Sequence, residues 1–365
     1  MFDFIPLEYY TPLYFNMLLL VVIITFIHTQ SYSGFSKITF TFNKVTTSIL
    51  FSFVLLYIGL RPISFVFGDM GTYASHFDQL AYGDGFLFPK GDIGFYSLMK
   101  LISYTKSATL FFFIIAVLYV VPLYIAVRKW FPTYYFFGFL MLLASFSFWS
   151  FGTNGLRNGV ATSFMLLAFS LKNKPIKYGL FLLALSFHSS VLLIIGAYFL
   201  SVFVENSKIY FYSWLASIFL SLSMGSIWGM FFLKLVLGKE NKLYNYLSGK
   251  GLVGDSTMNV GFRWDFLIYS TSAVAVAYYF IMIKKINDKH YQQLVHIYLT
   301  VNAIWIFVIR ARFSNRFAYL SWFLMGIIII YPFLKEVYWK NQFAIVGYVI
   351  AIYFSFTYFM NIFIY

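Results

Sequence analysis

A chain of 365 residues that is 61% hydrophobic and only 10% charged carries far less charge than the roughly 25% of an ordinary soluble domain, which excludes a water-soluble globular body. The formal net charge of +14 does not point to nucleic acid, because the basic residues sit in short turns between apolar runs. With no cysteines, disulfides, thiolate metal sites and a cysteine nucleophile are excluded.

Apolar runs of about 16 to 25 residues recur along the chain, close to the ~20 residues that cross a bilayer. The first, after "MFDFIPLEYY", has no basic region ahead of it, so no cleavable signal is expected. In chain order, spans are predicted over residues 14–28, 45–60, 108–127, 134–150, 156–171, 178–203, 266–283, 294–309, 317–334 and 343–363. Residues 210–237 are broken by "SMGS" at 223–226 and suit either one long span or a short pair. Lysine placement decides between them. The turns with Lys37 and Lys44, Arg128 and Lys129, Lys172, Lys174 and Lys177, Lys284, Lys285 and Lys289, and Lys335 and Lys340 should all be cytoplasmic. They share a side only if 210–237 makes an even number of crossings. The expectation is therefore two short crossings or a re-entrant hairpin turning at 223–226. Both termini and the long loops 61–106 and 238–263 then face outward. The expected fold is an all-α polytopic membrane protein, one integral membrane domain over 1–365 with about 11–12 transmembrane helices.

This topology sorts the charges. Ten of the twelve acids, all but Asp288 and Glu336, fall outside. So do six of the seven arginines: Arg61, Arg157, Arg263, Arg310, Arg312 and Arg316. Arginine is thus concentrated where the positive-inside rule disfavours it, and its planar fork suits carboxylate or phosphate.

Four stretches carry candidate chemistry. "GTNGLRNG", 152–159, is a tight outer turn opening a helix with Arg157 in its first turn. The free N–H groups of a helix start already attract anions, whereas a cation there is otherwise disfavoured; a snorkelling arginine is the plain alternative. "IRARFSNRFAYL", 309–320, holds Arg310, Arg312 and Arg316 without a neighbouring acid. Arg312 and Arg316 share a helix face and repel, so an anion or a distant acid must compensate. "LSFHSSVLL", 185–193, puts His188 near mid-span, a candidate base or hydrogen-bond donor. The outer loop 61–100 holds Asp69, Asp78, Asp84 and Asp92 among aromatics. Asp84 ("YGDG") and Asp92 ("KGD") read as ordinary turn acids, and Asp69 as the stronger candidate base. No D-x-D pair, P-loop, dinucleotide fingerprint or H-E-x-x-H occurs, so neither metal nor cofactor is expected.

Taken together, "RPISFVFGDMGTY", "GLRNGVATSFMLLAFSLKNKPIKYGLFLLALSFHSS" and "SNRFAYLSWFLMGIIIIYP" resemble the EpsG-like and Wzy-type O-antigen and capsular polysaccharide polymerases, over residues 61–332. The resemblance implies a fold like that of the lipid-donor (GT-C-like) glycosyltransferases. It implies a multi-pass protein of the bacterial inner membrane, with its active site facing the periplasm or exterior. The implied activity joins oligosaccharide repeat units carried on undecaprenyl diphosphate, with the lipid-linked oligosaccharide as donor and acceptor. A chain-length regulator protein is an expected partner; nucleic acid is not. In that setting Arg157, Arg312, Arg316 and Arg310 are expected to hold diphosphate, and Asp69 or His188 to act as base. Arg61, Tyr73, Asn154, Asn158, Arg263 and Tyr319 are expected to contact substrate. The competing expectations are a flippase or exporter of lipid-linked sugars, which needs no base, and a membrane O-acyltransferase using a mid-membrane histidine.

Overall fold

The first predicted spans form long helices: α1 (Leu7–Ser31), α2 (Lys37–Gly59) and α5 (Ala108–Trp130). The computed structural model describes residues 2, 4–34, 36–83, 91–237, 261–310 and 314–364, with the backbone alone for 224–237. Ser36 opens α2 by accepting the Thr39 N–H at 3.1 Å, and Ser107 opens α5 by accepting that of Leu110 at 3.2 Å. Both satisfy donors that a helix start leaves open. The expected outer loop between α2 and α5 is itself folded. A 3-10 turn (Phe65–Phe67) leads into α3 (Met70–Tyr82), and α4 (Ile93–Ser103) follows.

Two predicted spans are cut in the structure. Residues 134–150 become α6 (Tyr135–Leu143) and α7 (Phe146–Thr153), which bend by 70°. A break in apolar surroundings is tolerated only where protein covers it and re-satisfies its backbone. Here Phe136 to Leu143 are all buried. The Ala144 carbonyl accepts the Thr357 hydroxyl at 2.8 Å, and the Phe148 carbonyl accepts that of Tyr119 at 3.0 Å. After α8 (Leu156–Ser170), the run 178–203 divides at His188 into α9 (Lys174–Phe187) and α10 (Val191–Phe203). His188 has extended backbone, φ −158° and ψ 129°, so it stands at a helix end and not at mid-span.

The hairpin expected at 223–226 does not form. Helix α11 (Ser207–Leu237) runs unbroken for 31 residues. Serine and glycine do not stop a helix where a turn would strand its backbone groups in apolar surroundings. The break that is absent there falls instead at His188. The chain continues through α12 (Trp264–Tyr278, extended by a π-turn Tyr279–Ile283), α13 (Lys289–Phe307), α14 (Asn315–Lys335) and α15 (Gln342–Phe359, extended by Met360–Ile364). Among the described residues, six helices are long and apolar enough to cross a membrane, or seven if α6 and α7 form one broken span.

The chain divides into two compact units, Met1–Val191 with Ile330–Tyr365, and Leu192–Ile329. In the first, α8 lies between α5 and α9, and α1 packs on α15. In the second, α11 packs along α13, and Glu205 in the turn before α11 lies 3.6 Å from Lys289. Glu205, expected on the outer side, therefore belongs to the same end as the basic turn. A buried polar network ties four helices of this unit. Asn302 accepts from Trp214 Nε1 at 2.8 Å and donates to Ser270 at 3.2 Å and Ser321 at 3.0 Å; Trp322 Nε1 also donates to Ser270, at 2.7 Å. Asn302→Ala should therefore destabilise the protein by about 1–3 kcal/mol by orphaning the Trp214 N–H in the interior. Thermal unfolding in detergent checks this, and an unchanged midpoint would show that the network adds nothing.

Candidate functional site

The first unit gathers charge where α8 begins. Leu156 opens the helix after the Asn154–Gly155 turn, and Arg157 follows in the first turn, as its sequence position suggested. Its guanidinium is engaged twice: Nε donates to the Tyr73 hydroxyl at 3.0 Å, and Nη1 donates to Asp92 Oδ2 at 2.5 Å. The other carboxylate oxygen, Asp92 Oδ1, lies 3.2 Å from His188 Nδ1. A backbone hydrogen bond from Ser189 completes the cradle. Three segments distant in sequence thus meet: the entry to α4, the start of α8, and the α9–α10 turn.

Each segment is held from behind by the motif around Arg157. Asn154 Oδ1 accepts the backbone N–H of Asp69 at 2.9 Å. Asn158 Oδ1 accepts the Ser190 hydroxyl at 2.7 Å. The two asparagines expected to contact substrate fasten the α3 entry and the α9–α10 turn to either side of Arg157. Asp69 is partly buried beside Tyr73 and Tyr96, close enough to raise the pKa of both phenols.

The electrostatics follow from this geometry. Burial by itself raises the Asp92 pKa, but the His188 hydrogen bond, the His188 and Arg157 charges and the Ser189 N–H outweigh it. The carboxyl is held below its ordinary 3.8, so Asp92 is an anion at neutral pH. Burial pushes the Tyr73 phenol up to about 12 against the pull of Arg157. Tyr73 stays protonated and, having accepted from Arg157, keeps its own proton to donate. Burial and then Arg157 lower the His76 pKa, favouring the neutral ring. A depressed folded-state pKa stabilises above the unfolded value, and that contribution is lost as pH falls through the folded one. The wild-type protein should thus lose stability as pH drops below about 3.8, the ordinary value, and Asp92→Asn should flatten that acid limb. Unfolding midpoints across pH 3 to 6 check this; parallel curves for the two proteins would refute it.

The other expected site residues fare differently. Arg61 is 3% exposed and cannot reach substrate. It donates to the carbonyls of Ile58 and Thr153, the latter at 3.0 Å, so it ties together the C-terminal ends of α2 and α7. Burial lowers its pKa to about 9, which leaves it charged. In the second unit Arg263 forms a two-pronged pair with Asp265 at 2.9 and 2.6 Å and lies 3.6 Å over the Phe266 ring. Tyr319 is buried and accepts from Asn315 at 3.3 Å. Arg310 and Arg316 are exposed, and Arg310 lies 5.8 Å from the Phe262 ring. Arg312 and most of the loop 238–263 lie outside the described residues.

Asp92, expected to be an ordinary turn acid, is the carboxylate that joins Arg157 to His188. The available signal was its position: an acid directly before the amphipathic run "IGFYSLMKLI", a helix-start signature. It opens α4 in the left-handed region, φ 50° and ψ 39°, and makes no side-chain cap to its own helix. Among the described residues no group of three histidines and carboxylates is placed to hold a metal ion.

An all-helical chain with several spanning helices, a broken buried helix pair and a charged cluster at helix ends defines a polytopic membrane protein. A family model described as the EpsG family matches residues 44–365, and the chain belongs to that family. Membership supports a polysaccharide polymerase-like role in general. No curated protein and no solved structure matches the chain.

Proposed function

We propose that this protein joins oligosaccharide repeat units carried on undecaprenyl diphosphate into an O-antigen or capsular polysaccharide. The proposed location is the outer face of the bacterial inner membrane, with a chain-length regulator as a partner. The observation that carries this reading is the Arg157–Asp92–His188 cluster at the ends of two short helices. Helices α8 and α9 have 15 and 14 residues, about 22 and 21 Å at 1.5 Å per residue. A hydrocarbon core is ~30 Å thick. With Lys172 to Lys177 at the cytoplasmic surface, Arg157 and His188 stand ~8 Å below the outer boundary. A recessed charged centre suits a substrate whose diphosphate is anchored in the same leaflet, and does not suit a freely soluble sugar donor.

The chemistry assigned to the site is glycosyl transfer. The acceptor hydroxyl gives its proton to His188 Nε2, which makes no hydrogen bond among the described residues. The acceptor oxygen bonds to the anomeric carbon. The bond from that carbon to the diphosphate oxygen breaks, and its electron pair leaves with the diphosphate. Negative charge developing there meets the remaining N–H donors of Arg157, whose side chain is 29% exposed. Tyr73, buried beside Arg157, holds its Nε and so aims the fork. His188 is preferred to Asp69 as base because a carboxylate already fixes its other ring nitrogen. A histidine at a helix turn also lacks the mid-membrane placement that the O-acyltransferase expectation relied on.

The test is reconstitution of the purified protein in proteoliposomes with lipid-linked repeat units extracted from a producing strain. Growth of a ladder without any other protein supports the reading. Translocation of intact units with no change in chain length would overturn it in favour of a flippase.

A further inference from the structure

We infer that Asp92 is a positioning residue that occupies Arg157 in place of the substrate's anion and holds His188 alone once a diphosphate takes that guanidinium. The inference rests on the diphosphate-transfer reading of the same centre. It starts from the way one carboxylate is divided. Oδ2 lies 2.5 Å from Arg157, and Oδ1 lies 3.2 Å from His188 Nδ1. An ionised carboxylate only accepts hydrogen bonds, so Nδ1 carries the proton and the Nε2 lone pair is free.

Asp92 is not engaged by its own helix. It begins α4 yet caps none of its N–H groups. Its left-handed backbone, tolerated by aspartate but not favoured, is the kind of local strain that collects at working sites. The Arg157 side chain is 29% exposed and that of Asp92 10%, so the guanidinium is the more accessible of the two to an incoming anion. Tyr73 already holds Nε, which leaves the terminal nitrogens as the contested face. A diphosphate carries more charge and more acceptor oxygens than one carboxylate and should win that face. Asp92, still held by the Ser189 N–H and by His188, then fixes the imidazole in its Nδ1–H form. It also stabilises the imidazolium formed when Nε2 takes the acceptor's proton. Donor binding and base activation are coupled through a single side chain.

The coupling makes an unusual prediction: removing the charge of Asp92 should improve binding and damage turnover together. The experiment uses the full-length protein in lipid nanodiscs, with farnesyl diphosphate as the binding probe and glycan ladder growth as the turnover readout. Asp92→Asn is expected to bind the probe about tenfold more tightly, since the competing charge-assisted bond is gone. Ladder growth should fall about 100-fold, the scale of a lost acid–base contribution. Asp92→Glu keeps the charge and should show no gain in affinity. Nitrogen-15 spectra of labelled histidine, assigned by His188→Gln, should report the Nδ1–H tautomer in wild type and its loss in Asp92→Asn. If Asp92→Asn binds the probe no tighter or more weakly, or keeps its ladder growth, Asp92 is a scaffold residue and the inference is overturned. If Arg157→Gln binds the probe as wild type does, the diphosphate reading itself falls, whatever Asp92 does.

Discussion

Arg157→Gln should slow chain growth about 100- to 1000-fold, the usual effect of removing one donor aimed at charge that develops during reaction. Arg157 is worth this much because two roles meet in one fork. Its Nη1 fixes Asp92 at 2.5 Å and its Nε fixes Tyr73 at 3.0 Å, and its side chain remains 29% exposed. Glutamine retains the length but neither the charge nor the fork. Lysine retains the charge but not the geometry, and should restore little, because a single ammonium cannot hold the Tyr73 phenol and also offer a phosphate the paired N–H groups of a fork. The measurement is the rate of repeat addition in proteoliposomes, with thermal unfolding as a check on folding. A wild-type rate in Arg157→Gln would remove the proposed centre.

His188→Ala should lower turnover by about 100- to 10,000-fold, the range for a positioned general base. The loss should fall on turnover and leave binding of a prenyl diphosphate nearly unchanged, because His188 faces the acceptor hydroxyl in this mechanism and not the phosphate. That division separates a base from a histidine that merely braces the α9–α10 turn. Bracing is also performed by Asn158, whose side chain holds Ser190 at 2.7 Å, so Asn158→Ala should loosen binding and turnover together. If His188→Ala kept more than a tenth of wild-type turnover, the proton would have to go elsewhere, and Asp69 would be the next residue to test.

Much of the protein is legible in its sequence because a membrane protein can afford few charges. Arg157 drew attention as a cation at a helix start, and the structure puts it in the first turn of α8. His188 drew attention as an ionisable residue in an apolar run, yet the run was read as unbroken. Periodicity cannot separate one long apolar helix from two short ones when every position is apolar. Ser189 and Ser190, which follow His188, were the local hint; "SMGS" looked like a stronger one and proved to lie within a continuous helix. Both segments contain serines, and the difference comes from tertiary partners. At 188–190 the backbone and side chains find Asp92 and Asn158, so leaving the helix costs little there.

Asp92 shows the other kind of gap. Its partner Arg157 is 65 residues away and its partner His188 is 96 away, and nothing local tells a turn acid facing water from one buried against a guanidinium. Arg61 shows the converse: it looked like a substrate ligand because it is an arginine on the expected outer side, yet it is spent on two helix-end carbonyls.

By itself, the sequence determined the all-helical membrane class and the scarcity of charge along its apolar runs. These follow from composition and from the cost of charge in lipid, which act residue by residue. Only the tertiary structure decided where the apolar runs break, which arginine is structural, and that Asp92 joins Arg157 to His188. Those outcomes depend on hydrogen-bond partners supplied from distant segments, and a buried polar group takes whichever partner the packing brings to it.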